Sequence, residues 1–266
     1  MNEDGTSSMT RQERLATSWW RRQFRFLAVG ARAVAAIAAV VCSMSAVAQL
    51  PPNVTNAEMA LIPAYCKDAV SFGYGGTSDS MSPNAPKWVA MMGRGFWSVH
   101  HYCWAQIRLL RIQGPSTPQV TKQGTRELAV GDLNYVIEHS PPDFILLPEI
   151  YTKMGQVQLD LKQPAAADSS FAKARALKPD YWPAYFHWAW YLQNAGQKAT
   201  AKQVVEEGLS YAPDSKSLRI LLTDLGGDPN AVKRKNVPRN SDAGSAAPAE
   251  PATPAAGVKE PEMATK

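Results

Sequence analysis

The sequence predicts an all-α protein built from helix-turn-helix repeats, and three observations carry that expectation. Two stretches of 34 residues, 148–181 and 182–215, superpose without a gap, and a fixed period of that length belongs to a unit of two helices and a turn. Before them, Trp88 to Ile112 contains no proline and places Phe96 or Trp97, His100, Trp104, Ile107 and Leu110 or Arg111 at helical spacing. After them, Leu218, Leu221, Leu222 and Leu225 recur at the same spacing.

Taken in order, residues 1–48 read as an export leader. Arg21, Arg22 and Arg25 precede an uncharged run from Ala33 to Ala48 that closes on Ala46-Val47-Ala48, a small-x-small cleavage pattern. Removal of this leader leaves a chain that starts at Gln49 and points to the periplasm by the general secretion route. The pair Arg21-Arg22 followed by Gln23-Phe24 also fits a twin-arginine signal. Two alternatives stay open: an uncleaved anchor in the inner membrane, for which the run approaches the roughly 20 residues of a spanning helix, and translation from Met9 instead of Met1. Cys42 follows Val41, where a lipid-bearing cysteine follows a small residue.

Charge is uneven along the chain. The leader holds six Arg against Glu3, Asp4 and Glu13, while residues 49–266 hold 22 basic and 20 acidic side chains. The pI near 9.1 therefore reports mainly the leader and does not mark a nucleic-acid-binding surface. A hydrophobic content of 45% suffices for an ordinary core.

Residues 49–93 form an irregular amino-terminal cap. Asn53, Asn56, Pro63, Gly73, Gly75, Gly76, Pro83 and Pro86 break any long element, leaving a short helix from Ala57 to Ala69 and a glycine-rich loop. Without the leader only Cys66 and Cys103 remain; an even count in an exported chain predicts a disulfide between them, with two buried free thiols as the alternative. The helix from Trp88 to Ile112 stops at Gly114, Pro115 and Pro118, and another follows from Val120 to His139, closed by Pro141-Pro142.

In the first clear repeat the patterned positions are Tyr151, Met154, Gly155, Ala167, Phe171, Ala174 and Pro179. In the second they are Tyr185, Trp188, Ala189, Leu192, Ala201, Val205, Gly208 and Pro213. Small residues at Gly155 or Ala189 and at Ala167 or Ala201 let the paired helices approach, large ones fill the flanks, and the prolines end each unit. Arg94 to Pro141 reads as a third, irregular copy: Trp97 and Trp104 take first-helix positions, and Ala129, Leu133, Val136 and Pro141 second-helix ones. It carries about 16 extra residues around Gln113 to Gln123. Ser217 to Leu225 caps the array. From 226 to 266 the chain is rich in Ala, Pro, Ser and charge and reads as a disordered tail.

These motifs resemble the tetratricopeptide repeat family over residues 94–225, most closely over 148–215. The resemblance implies a short solenoid of about three helix pairs plus a capping helix, wound so that the first helix of each pair lines a concave face that receives a peptide or helix of another protein. Carried over position by position, that groove consists of Ser98, Tyr102 and Gln106 in the irregular copy, Thr152, Gln156 and Asp160 in the first clear repeat, and Phe186, Trp190 and Asn194 in the second. Gln158 stands where the family has an aromatic, and the basic and asparagine set that clamps a terminal carboxylate is not evident. Phe186 and Trp190 can instead belong to the packing against the capping helix or the irregular copy.

Catalytic and metal chemistry finds little support in these residues. His100, His101 and Cys103 are the densest group of candidate ligands, but two adjacent helical histidines diverge, and Cys103 is expected in the disulfide. There is no Gly-x-Ser-x-Gly, no Gly-x-x-x-x-Gly-Lys-Ser/Thr and no His-Glu-x-x-His. Glu149, Asp160 and Asp168 read as solvated helix charges. The expectation is an exported adaptor of the bacterial cell envelope that binds another envelope protein in its groove and needs neither cofactor nor nucleic acid, contacting the membrane only through an uncleaved leader. The competing class is an envelope enzyme or carbohydrate-binding protein that uses the aromatic stretch Tyr181 to Tyr191.

Overall fold

A computed structural model of the chain describes residue 51 and residues 53–70 and 82–236. The leader, the glycine-rich loop around Gly73 to Gly76 and the tail from Val237 onward lie outside the described residues. Those residues are all-α: no strand occurs among them, and consecutive helices form packed pairs.

The amino-terminal cap is assembled from short pieces. Helix α1 (Asn56–Met59) is opened by a reciprocal pair of hydrogen bonds: Glu58 N donates to the Thr55 hydroxyl at 3.2 Å, and Thr55 N donates to the Glu58 carboxylate at 2.8 Å. Arg111 also donates to that carboxylate, at 2.6 Å, and holds Glu58 down at about 2. The expected helix from Ala57 to Ala69 is broken at Pro63, after which a 3₁₀ turn runs from Ala64 to Asp68. Proline lacks the N–H a continuing helix requires and disfavours helical backbone before it.

Two features hold the cap in place, a hydrogen-bond hub that no motif in the sequence marks and the disulfide that the cysteine count predicts. Asp68 is buried and accepts from the Ser82 hydroxyl at 2.6 Å, the Trp88 indole at 2.8 Å and the Asn84 amide at 3.2 Å. Burial opposes its charge, but the three donors outweigh it and keep the carboxyl below its ordinary range. The second feature is the disulfide between Cys66 and Cys103, both wholly buried. The two are 37 residues apart, and on the chain-entropy model a closed loop of that size stabilises by about 4 kcal/mol.

The expected helix from Trp88 to Ile112 divides into α2 (Ala85–Met92), a 3₁₀ turn (Arg94–Ser98) and α3 (Val99–Arg111). Gly93 makes the break at φ 77°, a left-handed conformation suited to glycine. Two residues on, a Cβ at Gly95 would overlap the Phe144 ring. Apolar periodicity alone misses both demands.

Helix α4 (Gln119–His139) is 21 residues long, against 14 for the second helices of the clear repeats. Part of the extra sequence between the halves of the irregular copy is thus added helix at the start of α4, where Val120 is 81% exposed. Further along, Ala129, Leu133 and Val136 are buried against α3 as expected. Between them Asp132, 0% exposed, accepts from Arg108 Nε at 2.8 Å and bonds His101 Nδ1 at 2.9 Å. A buried carboxylate needs such partners.

Each 34-residue stretch folds as one helix pair: α5 (Leu147–Asp160) with α6 (Pro164–Leu177), and α7 (Trp182–Asn194) with α8 (Lys198–Tyr211). The second helix of each pair packs on the first helix of the next, and the first helices α5 and α7 also touch. Ala167, Phe171, Ala174, Ala189, Ala201 and Val205 are fully buried at the patterned positions. Gln158, the departure from the aromatic pattern, accepts from the Ser170 hydroxyl at 2.7 Å and so still ties α5 to α6. Helix α9 (Lys216–Asp224) turns Leu218, Leu221 and Leu222 onto the last pair, its first turn capped by Ser215.

Residues 226–236, expected in the disordered tail, are folded back. Gly226 takes φ 71°, Val232 packs on the core beneath, and Lys235 N donates to Ser210 O at 2.7 Å. Polar ties add to these contacts, with Arg219 donating to Asn230 at 2.6 Å and Arg234 to Asp214 at 3.3 Å.

The helix approach can be tested at Gly155, where an added Cβ would sit 2.8 Å from the Phe171 ring. Phe171 is fully buried and cannot give way. Gly155→Leu should therefore lower unfolding free energy in urea by about 1 to 3 kcal/mol or more, whereas unchanged stability would contradict this packing.

Candidate protein-binding face

The first helices α3, α5 and α7 bring most of the expected groove residues to one side of the array, but they divide into two groups. Ser98 is buried, its hydroxyl donating to Gly95 O at 2.9 Å and lying 2.8 Å from the Ser140 hydroxyl. Tyr102 is 0% exposed and donates to Glu149, while Gln106 Nε2 donates to the Tyr102 oxygen at 2.9 Å. Thr152 is buried and donates to Pro148 O at 2.8 Å. Ser98 and Tyr102 tie separate segments together, Thr152 bonds back within α5, and none of the three offers a contact surface, so the accessible face is narrower than the repeat alignment places it. Spacing identifies the side of a helix but not what a neighbouring segment covers.

The other group remains accessible. Gln106 and Gln156 are half-buried, and Asp160 is exposed and paired with Arg126 Nε at 3.1 Å. On α7, Phe186 and Trp190 stand one turn apart with rings nearly parallel, 6.2 Å between centroids and 15° between planes. Trp182 meets Phe186 edge-on at 6.1 Å. Trp190 is 42% exposed, and Asn194 donates to its carbonyl at 2.8 Å, fixing the end of this face. Trp182, Phe186 and Trp190 recur every four residues and so form a row of rings along the helix. Phe186 and Trp182 also pack on the core of the last pair, so only part of the row is open.

Electrostatics along the seam between α5 and α7 depends on side chains that the repeat pattern does not single out. Gln156 Nε2 donates to His187 Nε2 at 2.7 Å, which leaves His187 neutral with its proton on Nδ1. Burial, with the charge of Lys153 second, lowers His187 to about 4. Burial lowers the Lys153 ammonium too, opposed by Glu149 and Asp160. Glu149 is not the solvated helix charge expected: it accepts from Tyr102 at the half-buried junction of α3 and α5. Beside it Tyr65, carried by the disulfide-linked turn, packs edge-on against Trp88 and buries its hydroxyl, and burial and the Glu149 charge raise both tyrosines well above their ordinary value. The four-residue spacing of Glu149 and Lys153 was the available signal for this strip; nothing in the sequence pointed to Tyr65.

The histidine-rich run serves packing. His101 binds Asp132 and stacks on Tyr135 at 3.8 Å, which in turn stacks on His139 at 3.9 Å. His100 is half-buried and donates from Nδ1 to Trp97 O at 3.0 Å; burial, then the neighbouring His101, lowers it to about 4. Cys103 is taken by the disulfide. Among the described residues no group of three or more His, Cys, Asp or Glu converges to hold a metal ion, and no helix is long and apolar enough to cross a membrane.

No known family model matches the chain, and no curated protein matches it. What the face can do follows from its chemistry: partly exposed rings for apolar contact, with amide, ammonium and carboxylate groups beside them for orientation.

His100 and His187 titrate near 6.5 when unfolded and near 4 in the fold. The unfolded chain therefore binds more protons between those values, and stability falls as pH is lowered through that window. Denaturation midpoints between pH 7 and pH 5 should decline in the wild type and less steeply in His187→Gln, whose amide keeps a partner for Gln156. Equal slopes would show that His187 is not held neutral.

Proposed function

We propose that this chain is a protein-binding adaptor of the bacterial cell envelope, exported by its leader and built on tetratricopeptide-type repeats. The observation that carries the reading is the stacked and partly exposed pair Phe186 and Trp190 on the first-helix face of the second clear repeat, beside the Gln156–His187 seam. Large rings with polar neighbours are the side chains that dominate binding energy at protein interfaces. The two 34-residue units and the folding of each as one helix pair support the repeat assignment. Export to the periplasm rests on the basic and apolar leader with Ala46-Val47-Ala48, and the buried disulfide suits an oxidising compartment.

A second reading has its own observation. Nearly parallel rings in a row also suit the flat faces of sugar residues, so a carbohydrate is the alternative ligand for Trp182, Phe186 and Trp190.

Crosslinking in intact envelopes followed by capture of the chain tests the adaptor reading. One protein should be recovered at fixed stoichiometry with a chain that begins at Gln49, and Phe186→Ala with Trp190→Ala should reduce its recovery at least tenfold, about 1.4 kcal/mol. Undiminished recovery would move the contact elsewhere. Glycan-array binding that disappears with Trp190→Ala, without a protein partner, would establish the alternative.

A further inference from the structure

We infer that the proline-rich segment Pro248 to Pro254 of this chain docks on the ring row Trp182, Phe186 and Trp190 of its own α7 and competes there with an outside partner. The inference rests on that face being the binding face and adds a built-in occupant.

Three observations converge on it. The first is the path of the chain. The strap 226–236 returns along α8, with Lys235 N bonded to Ser210 O at 2.7 Å and its ammonium 5.3 Å from the Tyr211 ring. That end of α8 abuts the start of α7, since a Cβ at Gly208 would lie 2.7 Å from Tyr185, and Trp182 stands in the same first turn. The chain is therefore delivered to the beginning of the ring row.

The second is length. Another 30 residues follow Asn236, and twelve of them lead to Pro248. Twelve extended residues reach roughly 40 Å, whereas α7, with 13 residues, is about 20 Å long. Every point on the row is within reach.

The third is pattern. Pro248, Pro251 and Pro254 recur every third residue. A polyproline II helix has three residues per turn and a rise of about 3.1 Å, a conformation that on docking would set these prolines along one edge at intervals of about 9 Å. The ring row repeats at 6.1 and 6.2 Å, so the row from Trp182 to Trp190, about 12 Å along the helix, accommodates two prolines. Proline rings on a preformed extended helix bind rows of aromatic side chains at small entropic cost. Glu250 lies between the prolines, and Lys153, whose charge is felt at His187 beside the row, supplies its complement.

Fluorine NMR of the full chain labelled with 5-fluorotryptophan tests this directly, with Trp190 assigned through Trp190→Phe and the buried Trp104 as internal reference. Replacing Pro248, Pro251 and Pro254 together by Ala should shift the Trp190 signal and leave Trp104 unmoved. A synthetic peptide of residues 237–266 added to that triple variant should reverse the shift saturably, with half-saturation at or below about 1 mM, because a tethered segment already competes at millimolar effective concentration. A Trp190 signal identical in both chains, or a peptide that moves other tryptophans but not Trp190, would overturn the inference. Failure of the adaptor reading looks different: no partner is captured by either chain while the Trp190 shift persists.

Discussion

The close approach of paired helices at small residues is the constraint on which the rest of the structure depends. At Gly155 the space of a side chain is filled by the Phe171 ring, and at Gly208 by Tyr185 and Leu218. Ala167 and Ala201, one repeat apart, are sealed in the same way. Interlocking of this kind fixes the rotation of each helix about its axis, because a turned helix would put a side chain where a ring already sits. Rotation in turn decides which side chains face outward. Phe186 and Trp190 stand on the first-helix face because Tyr185, Trp188 and Ala189 are held inside.

The ends of the array are closed by different means. At the amino-terminal end little regular structure is available, and covalent and polar ties replace apolar area: Cys66 is bonded to Cys103, and Asp68 gathers Ser82, Asn84 and Trp88. At the other end α9 and the returning strap cover the last pair with leucines and Val232. A repeat that lacks a neighbour on one side needs such a cover. The amino-terminal cover also reaches the first-helix face, since Tyr65 follows the disulfide-linked turn to the neighbourhood of Tyr102 and Glu149.

Legibility in the sequence follows the same division. Helices α5 to α8 were readable because a 34-residue period repeats both size and spacing, and α9 because its leucines lie on one side. The disulfide was readable from the cysteine count. The break at Gly93 was not, because apolar spacing carries no backbone angle, and neither the ring against Gly95 nor the hydrogen-bond hub at Asp68 was, because each depends on a partner distant in sequence. The binding face was half legible for a related reason. The family resemblance placed Gln106, Gln156, Phe186 and Trp190 on the first-helix side, yet of the positions carried over with them Ser98 and Tyr102 are consumed by contacts that only tertiary structure supplies, and Thr152 is buried and bonded back to its own helix. Strap residues from Gly226 to Asn236 carry one large apolar side chain, Val232, and composition averaged over the tail conceals it.

Whether the exposed rings of α7 meet another molecule is the claim on which the proposed function turns, and radical footprinting of tryptophans in intact envelopes against the purified chain measures it most directly. Trp97, 39% exposed near the amino-terminal end, serves as the reference for Trp190 at 42%. The account predicts that Trp190 is less oxidised in the envelope than in the purified chain while Trp97 is oxidised equally in both. Equal oxidation of Trp190 in the two states would contradict it.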